Sequence, residues 1–156
     1  MKVKIIVIGK TDFEYIQTGI DLYLRKLKHY TKIEWLVLPH HKSHGDNASS
    51  ICKAEANLLT SYFEQADVNI LLDENGKSFD SIAFSSLISN YQIQSKKQIN
   101  FYVGGAYGFD SELKSKADLL LSFSKFTFTH AMIRLLLLEQ IYRAYTIINH
   151  EKYHHI

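Results

Sequence analysis

The chain is short of the residues that mark several protein classes. Its 156 residues include one cysteine, one proline, one tryptophan and seven glycines, and 18 basic side chains nearly balance 16 acidic ones. The lone Cys52 excludes an intrachain disulfide framework and a cysteine-built zinc ribbon. With 46% hydrophobic and 22% charged residues and so little proline and glycine, collagen-like, low-complexity and disordered classes are excluded as well. Long apolar runs are also missing: Leu135–Leu138 is bracketed by Arg134 and Glu139, far short of the ~20 residues that span a bilayer. The opening run to Ile8 is followed by Gly9-Lys10 where a signal peptide would continue its apolar core, so it reads as a buried strand. The expectation is a cytoplasmic protein of one domain, residues 1–156, since domains run to ~100–200 residues.

A net charge of +2 does not announce a nucleic-acid binder, but the charge is unevenly placed. Residues 1–40 carry seven basic and four acidic side chains, 41–110 five and eight, and 111–156 six and four. Both ends are basic, and His150, His154 and His155 gather beside Lys152 and Tyr153 in the tail. That end could meet phosphate or be a solvated tail.

Short β-rich runs alternate with longer amphipathic ones, the pattern of a parallel sheet with crossover helices. Strands are expected at 3–8, 33–38, 68–72, 99–103 and 119–122. Asp12 is placed to cap a helix reaching about Lys28; further helices are expected near 48–63, 81–90, 111–117 and 130–149. Asp73–Lys77 reads as a turn and His40–Asp46 as a loop. The last helix is apolar over most of its circumference, more than one sheet face can cover, which predicts a homodimer joined through it.

Gly104, Gly105 and Gly108 follow a strand and precede a helix, where glycines let backbone N–H groups approach a ligand, and a Cβ at Gly104 is expected to intrude there. The spacing is not GxGxxG, and no acid stands ~20 residues on to hold a ribose, so a nicotinamide-binding oxidoreductase is disfavoured. The histidines form no metal-ligand framework, and no metal is expected. Cys52 has no local histidine to activate it.

Three stretches carry a family resemblance: Tyr102-Val-Gly-Gly-Ala-Tyr-Gly108, Leu121-Ser-Phe-Ser-Lys-Phe-Thr-Phe-Thr-His130, and Glu139-Gln-Ile-Tyr-Arg-Ala-Tyr145 with Tyr153-His154 at the end. Together they resemble the bacterial ribosomal RNA large-subunit methyltransferases H, of the SPOUT class. The resemblance implies an α/β fold, a parallel sheet flanked by helices with a C-terminal trefoil knot, in a homodimer that binds S-adenosylmethionine in the knot. Periodicity shows no knot, and knots are rare. It implies methylation of N3 of a pseudouridine in 23S rRNA within the 70S ribosome, with no membrane and no metal. A non-catalytic RNA-binding dimer is the alternative.

By the same resemblance, Leu72, Gly104, Gly105 and Phe123, Ser124, Lys125, Phe126, Thr127 and Phe128 form the methyl-donor pocket. His154 is implied as the base that takes the N3 proton and Tyr153 as its companion on the acceptor base. Arg134, Arg143 and His155 are implied on the substrate side, a structural role for the two arginines being the other reading. In this tail Lys152 stands where the family usually has proline.

Overall fold

The computed structural model describes residues 1–40 and 47–154. Ten elements follow in order: β1 Lys2–Ile8, α1 Glu14–Leu27, β2 Lys32–Leu38, α2 Ala48–Phe63, β3 Val68–Ser78, α3 Ser81–Ile93, β4 Gln98–Val103, α4 Ser111–Lys116, β5 Leu119–Ser122 and α5 His130–Ile148. The five strands are all parallel in the order β2-β1-β4-β3-β5.

Alternate residues of the central strands enter two cores. Val3, Ile5 and Val7 of β1 with Phe101 of β4 pack against α1, α3 and α5; Ile6 and Ile8 with Tyr102 pack against Leu59 of α2 and Leu113 of α4. Burial on both faces explains why these strands read as near-continuous apolar runs. Inside the second core the Tyr102 hydroxyl donates to Asn69 Oδ1 at 2.7 Å and Asn100 Nδ2 donates to the Tyr62 carbonyl at 3.0 Å, so the buried amides of β3 and β4 are partnered.

Three expectations are corrected. Asp12 does not cap α1: Phe13 holds the N-cap position without a side-chain bond, and the helix begins at Glu14. Asp73–Lys77 is not a turn after β3 but part of it. The ladder with β5 breaks between Leu72 and Lys77, both of which face Leu121. Gly76 permits that kink, because a Cβ there would stand 2.5 Å from the Leu120 backbone. The third correction concerns α5, much of whose apolar circumference packs within the protomer on the sheet, α1 and α3. Leu137 and Ile141 on that circumference are fully buried. Gly19 lets α1 approach closely: a Cβ there would meet Leu135 Cδ1 at 2.8 Å. That packing removes Leu137 and Ile141 as contacts for a partner subunit, while Met132, Ile133 and Leu136 stay partly exposed. The expected loop through Asp46 falls largely outside the described residues, among which no helix is long and apolar enough to cross a membrane.

Candidate active site

Two adjoining cavities of about 690 Å³ each open at the C-terminal ends of the strands. The first lies over β3, β4 and β5. Leu72 and Asp73 at the kink of β3, the turn Gly104–Gly108 after β4, and the segment 121–129 after β5 enclose it, with His130 at its edge. Leu72, Gly104, Gly105, Phe123, Ser124, Phe126, Thr127 and Phe128 are thus brought together as expected. Lys125 is not: it is exposed and absent from the lining.

Local chemistry shapes the walls. Ser124 Oγ accepts from the Phe126 N–H at 3.0 Å while Ser122 Oγ donates to the Ser124 carbonyl at 2.9 Å, a side-chain turn that folds the segment back. Thr127 Oγ1 donates to Glu74 Oε2 at 3.1 Å, tying it to the kinked strand. Thr129 then caps α5 by accepting from the Met132 N–H at 3.2 Å. In the glycine turn, Gly108 has φ +73°, open to glycine at little cost, and its N–H donates to the Gly105 carbonyl at 3.2 Å. A Cβ at Gly104 would meet the Gly108 carbonyl oxygen at 3.0 Å, so the crowding expected there comes from the turn itself and not from a ligand.

Asp73 and Lys114 form an ion pair of 2.6 Å at the rim. Burial alone would push the Asp73 carboxyl up; the Lys114 ammonium and the Asn75 N–H outweigh it and hold the group below its ordinary value. Asp73 and Lys114 both line the cavity, so its rim holds a neutralised pair of charges.

The second cavity lies over β1 and β2, between Gly9–Asp12 and Val37–His40, and shares Gly105, Ala106 and His130 with the first. Behind it Glu55 of α2, 3% exposed, accepts from or shares a proton with His40 Nδ1 at 2.9 Å.

Arg134 requires a correction. It is fully buried, donating to the Ile8 carbonyl and to Thr11 Oγ1, and its Nε has no partner among the described residues. Burial pushes the guanidinium down to about 10 against the opposing Asp12 charge. Placed this way it braces the end of β1 and does not reach a phosphate in solution.

The tail stands apart. Tyr153 donates to Glu139 Oε1 at 3.2 Å, sets its ring edge against Tyr142 and lies under the Arg143 guanidinium at 4.8 Å. Burial, with the Tyr23 hydroxyl and Glu139, pushes its phenol upward. Arg143 pairs with Glu139, and its Nη1 donates to His154 Nδ1 at 3.3 Å. Glu139 is nine residues beyond His130, roughly 13 Å along the helix axis. Neither Tyr153 nor His154 lines either cavity, and His155 lies outside the described residues. Sequence reasoning overlooked Asp73, Glu55 and His130. His130 stood inside a quoted motif, directly after a capping threonine, and only its position at a strand-end cavity marks it out.

A doubly wound parallel α/β sheet with a cavity built by three strand-end loops defines an open α/β fold of the kind that places its ligand site at the carboxyl ends of the strands. The same fold is found in a probable methylase family protein from Haemophilus influenzae Rd KW20, with TM-score 0.58 over 99% of this chain and 70% of that one, at 12% identity. A family model described as "Predicted SPOUT methyltransferase" matches residues 1–154, and the chain belongs to that family. Among curated relatives, the proteins named ribosomal RNA large subunit methyltransferase H from Christiangramia forsetii and Parabacteroides distasonis are 40% and 42% identical, over 99% of both chains. The namesake from Pseudothermotoga lettingae is 41% identical over 99% of this chain and 100% of its own.

Proposed function

We propose that the protein methylates N3 of a pseudouridine in 23S rRNA on the assembled 70S ribosome, using S-adenosylmethionine. The observation that carries this reading is the first cavity, where Leu72, Gly104, Gly105 and the 123–128 segment converge from three strand ends. The residues present fit the donor: Leu72, Val103, Leu121 and Phe123 offer apolar walls for an adenine, and the glycine turn leaves backbone groups open to it. When bound, the donor supplies a methyl carbon whose bonding pair returns to sulfur as the acceptor nitrogen's lone pair forms the new bond.

The chain's own residues then have two tasks. The glycine turn and the 123–128 segment hold the donor, and the acceptor side must take the N3 proton, because only the deprotonated nitrogen is a good nucleophile. His154 takes that proton and Tyr153 holds the base, with Arg143 orienting His154 through its 3.3 Å contact. Since one chain's tail lies beside Glu139 and away from its own cavities, these residues come from the tail of a second copy. A homodimer is supported by the apolar side chains left open around the cavity mouth: Phe126 is 80% exposed, Tyr107 58% and Phe13 50%. The reading also takes 1–156 as one cytoplasmic domain with its C-terminal part threaded as a trefoil knot.

The test is radiolabelled methyl transfer to 70S ribosomes lacking the modification, with the methylated nucleotide mapped by mass spectrometry. Methyl incorporated at a pseudouridine N3 of 23S RNA is expected. Donor binding with no transfer to RNA refutes the reading.

A further inference from the structure

The second cavity sits at the topological switch point of the sheet. β1 and β4 are neighbours, yet the chain leaves β1 toward β2 through α1 on one face and leaves β4 toward β5 through α4 on the other. Connections that diverge in this way open a crevice between adjacent strand ends, where open α/β sheets bind ligands. Ile8, Gly9 and Val37 on one side and Gly105 with Ala106 on the other line it, apolar walls of the kind that grip a planar ring. Its polar groups are Lys10, Asp12, His40 and His130. His130 is the one titratable side chain that the two cavities share.

We propose that this second cavity seats the acceptor nucleotide's uracil-type base, and that His130 donates a hydrogen bond to a carbonyl oxygen flanking the nitrogen to be methylated. The proposal rests on the methyltransferase reading above and adds the acceptor site to it. Donor and acceptor must touch for transfer, and the wall of Gly105, Ala106 and His130 is where ligands of the two cavities meet. As the imide proton leaves, negative charge spreads onto the flanking carbonyl oxygens, and a fixed donor there stabilises it. His130 is suited to donate while neutral. It opens α5, so the positive end of the helix dipole opposes a charge on the ring. His130 is exposed at the cavity edge, and partial desolvation and the Arg134 guanidinium one turn along, with His40 across the cavity, lower its basicity against the opposing Asp12 carboxylate. Glu55 is engaged by His40 and Lys10 lines the same cavity. A neutral ring also avoids repelling a cationic donor next door.

The test separates donor binding from transfer, using S-adenosylhomocysteine in calorimetry and 70S ribosomes lacking the modification. For His130→Ala we expect inhibitor affinity within about threefold of the unaltered protein and methyl transfer reduced about 100-fold, the usual cost of one such donor. His130→Gln, which keeps an N–H donor, should recover at least about tenfold of the loss. Val37→Trp fills the cavity from its β2 rim without touching the first cavity, and should abolish transfer while inhibitor affinity holds. Transfer near the unaltered rate in both His130→Ala and Val37→Trp overturns the proposal, as does a parallel loss of inhibitor affinity in both. If the unaltered protein binds the inhibitor yet methylates no 23S RNA, the methyltransferase reading itself fails and this proposal falls with it.

Discussion

A Cβ on Gly105 would stand 2.8 Å from both carboxylate oxygens of Glu55, so the turn after β4 is seated directly on a buried acid of α2. Glu55 is itself held by His40 at 2.9 Å and has little room to retreat. Gly105→Ala is therefore expected to cost about 1–3 kcal/mol in urea denaturation, an overpacking penalty, and to weaken S-adenosylhomocysteine binding. Adding Glu55→Ala should return part of the stability. A Gly105→Ala protein as stable as the original would show that Glu55 yields freely.

The Asp73–Lys114 pair makes stability depend on acid. The folded Asp73 carboxyl titrates below its unfolded value, so its contribution is complete above the unfolded value and is lost as pH falls through the folded one, below about pH 4. Urea midpoints measured from pH 6 to pH 2.5 should fall more steeply for the unaltered protein than for Asp73→Asn. Parallel curves would remove Asp73 from the acid response.

Arg134→Met should destabilise the fold by about 1–3 kcal/mol, because the Ile8 carbonyl and Thr11 hydroxyl lose a buried charged donor. Lysine at this position ends in one ammonium in place of the guanidinium fork that serves both acceptors, and should rescue little. Thermal unfolding of the two variants checks this; a neutral Arg134→Met would deny the brace.

A tail acting in a second copy's site makes complementation possible. Ser124→Trp, blocking the donor cavity, and His154→Ala should each lose methyl transfer by about 100-fold, while the latter keeps donor affinity. Refolded together, they should recover activity, since mixed dimers hold one site with both an open cavity and an intact tail. The residual rate of His154→Ala should rise with pH if the missing step is N3 deprotonation. No recovery on mixing, or a monomer in sedimentation at micromolar concentration, would place the tail's function within one chain or nowhere.

The sequence by itself determined the order and kind of the elements, while the expected methyl-donor residues came from the family resemblance. The apolar runs of β1 and β4, the Asp80 and Thr129 caps and the glycine turn are short-range signals, and α2 and β5 fall where the pattern put them. What only the tertiary structure decided depends on contacts between distant segments. Much of the apolar surplus of α5 packs against α1 and α3, which no periodicity in α5 reveals, and Arg134 turns inward to a carbonyl 126 residues away. The kink at Leu72 rests on the Leu120–Leu121 backbone pressing on Gly76. The second cavity exists because β1 and β4, 96 positions apart in register, lie side by side with diverging exits. Local sequence encodes propensity and pattern, whereas which strand ends become neighbours follows from how the whole chain buries its apolar faces.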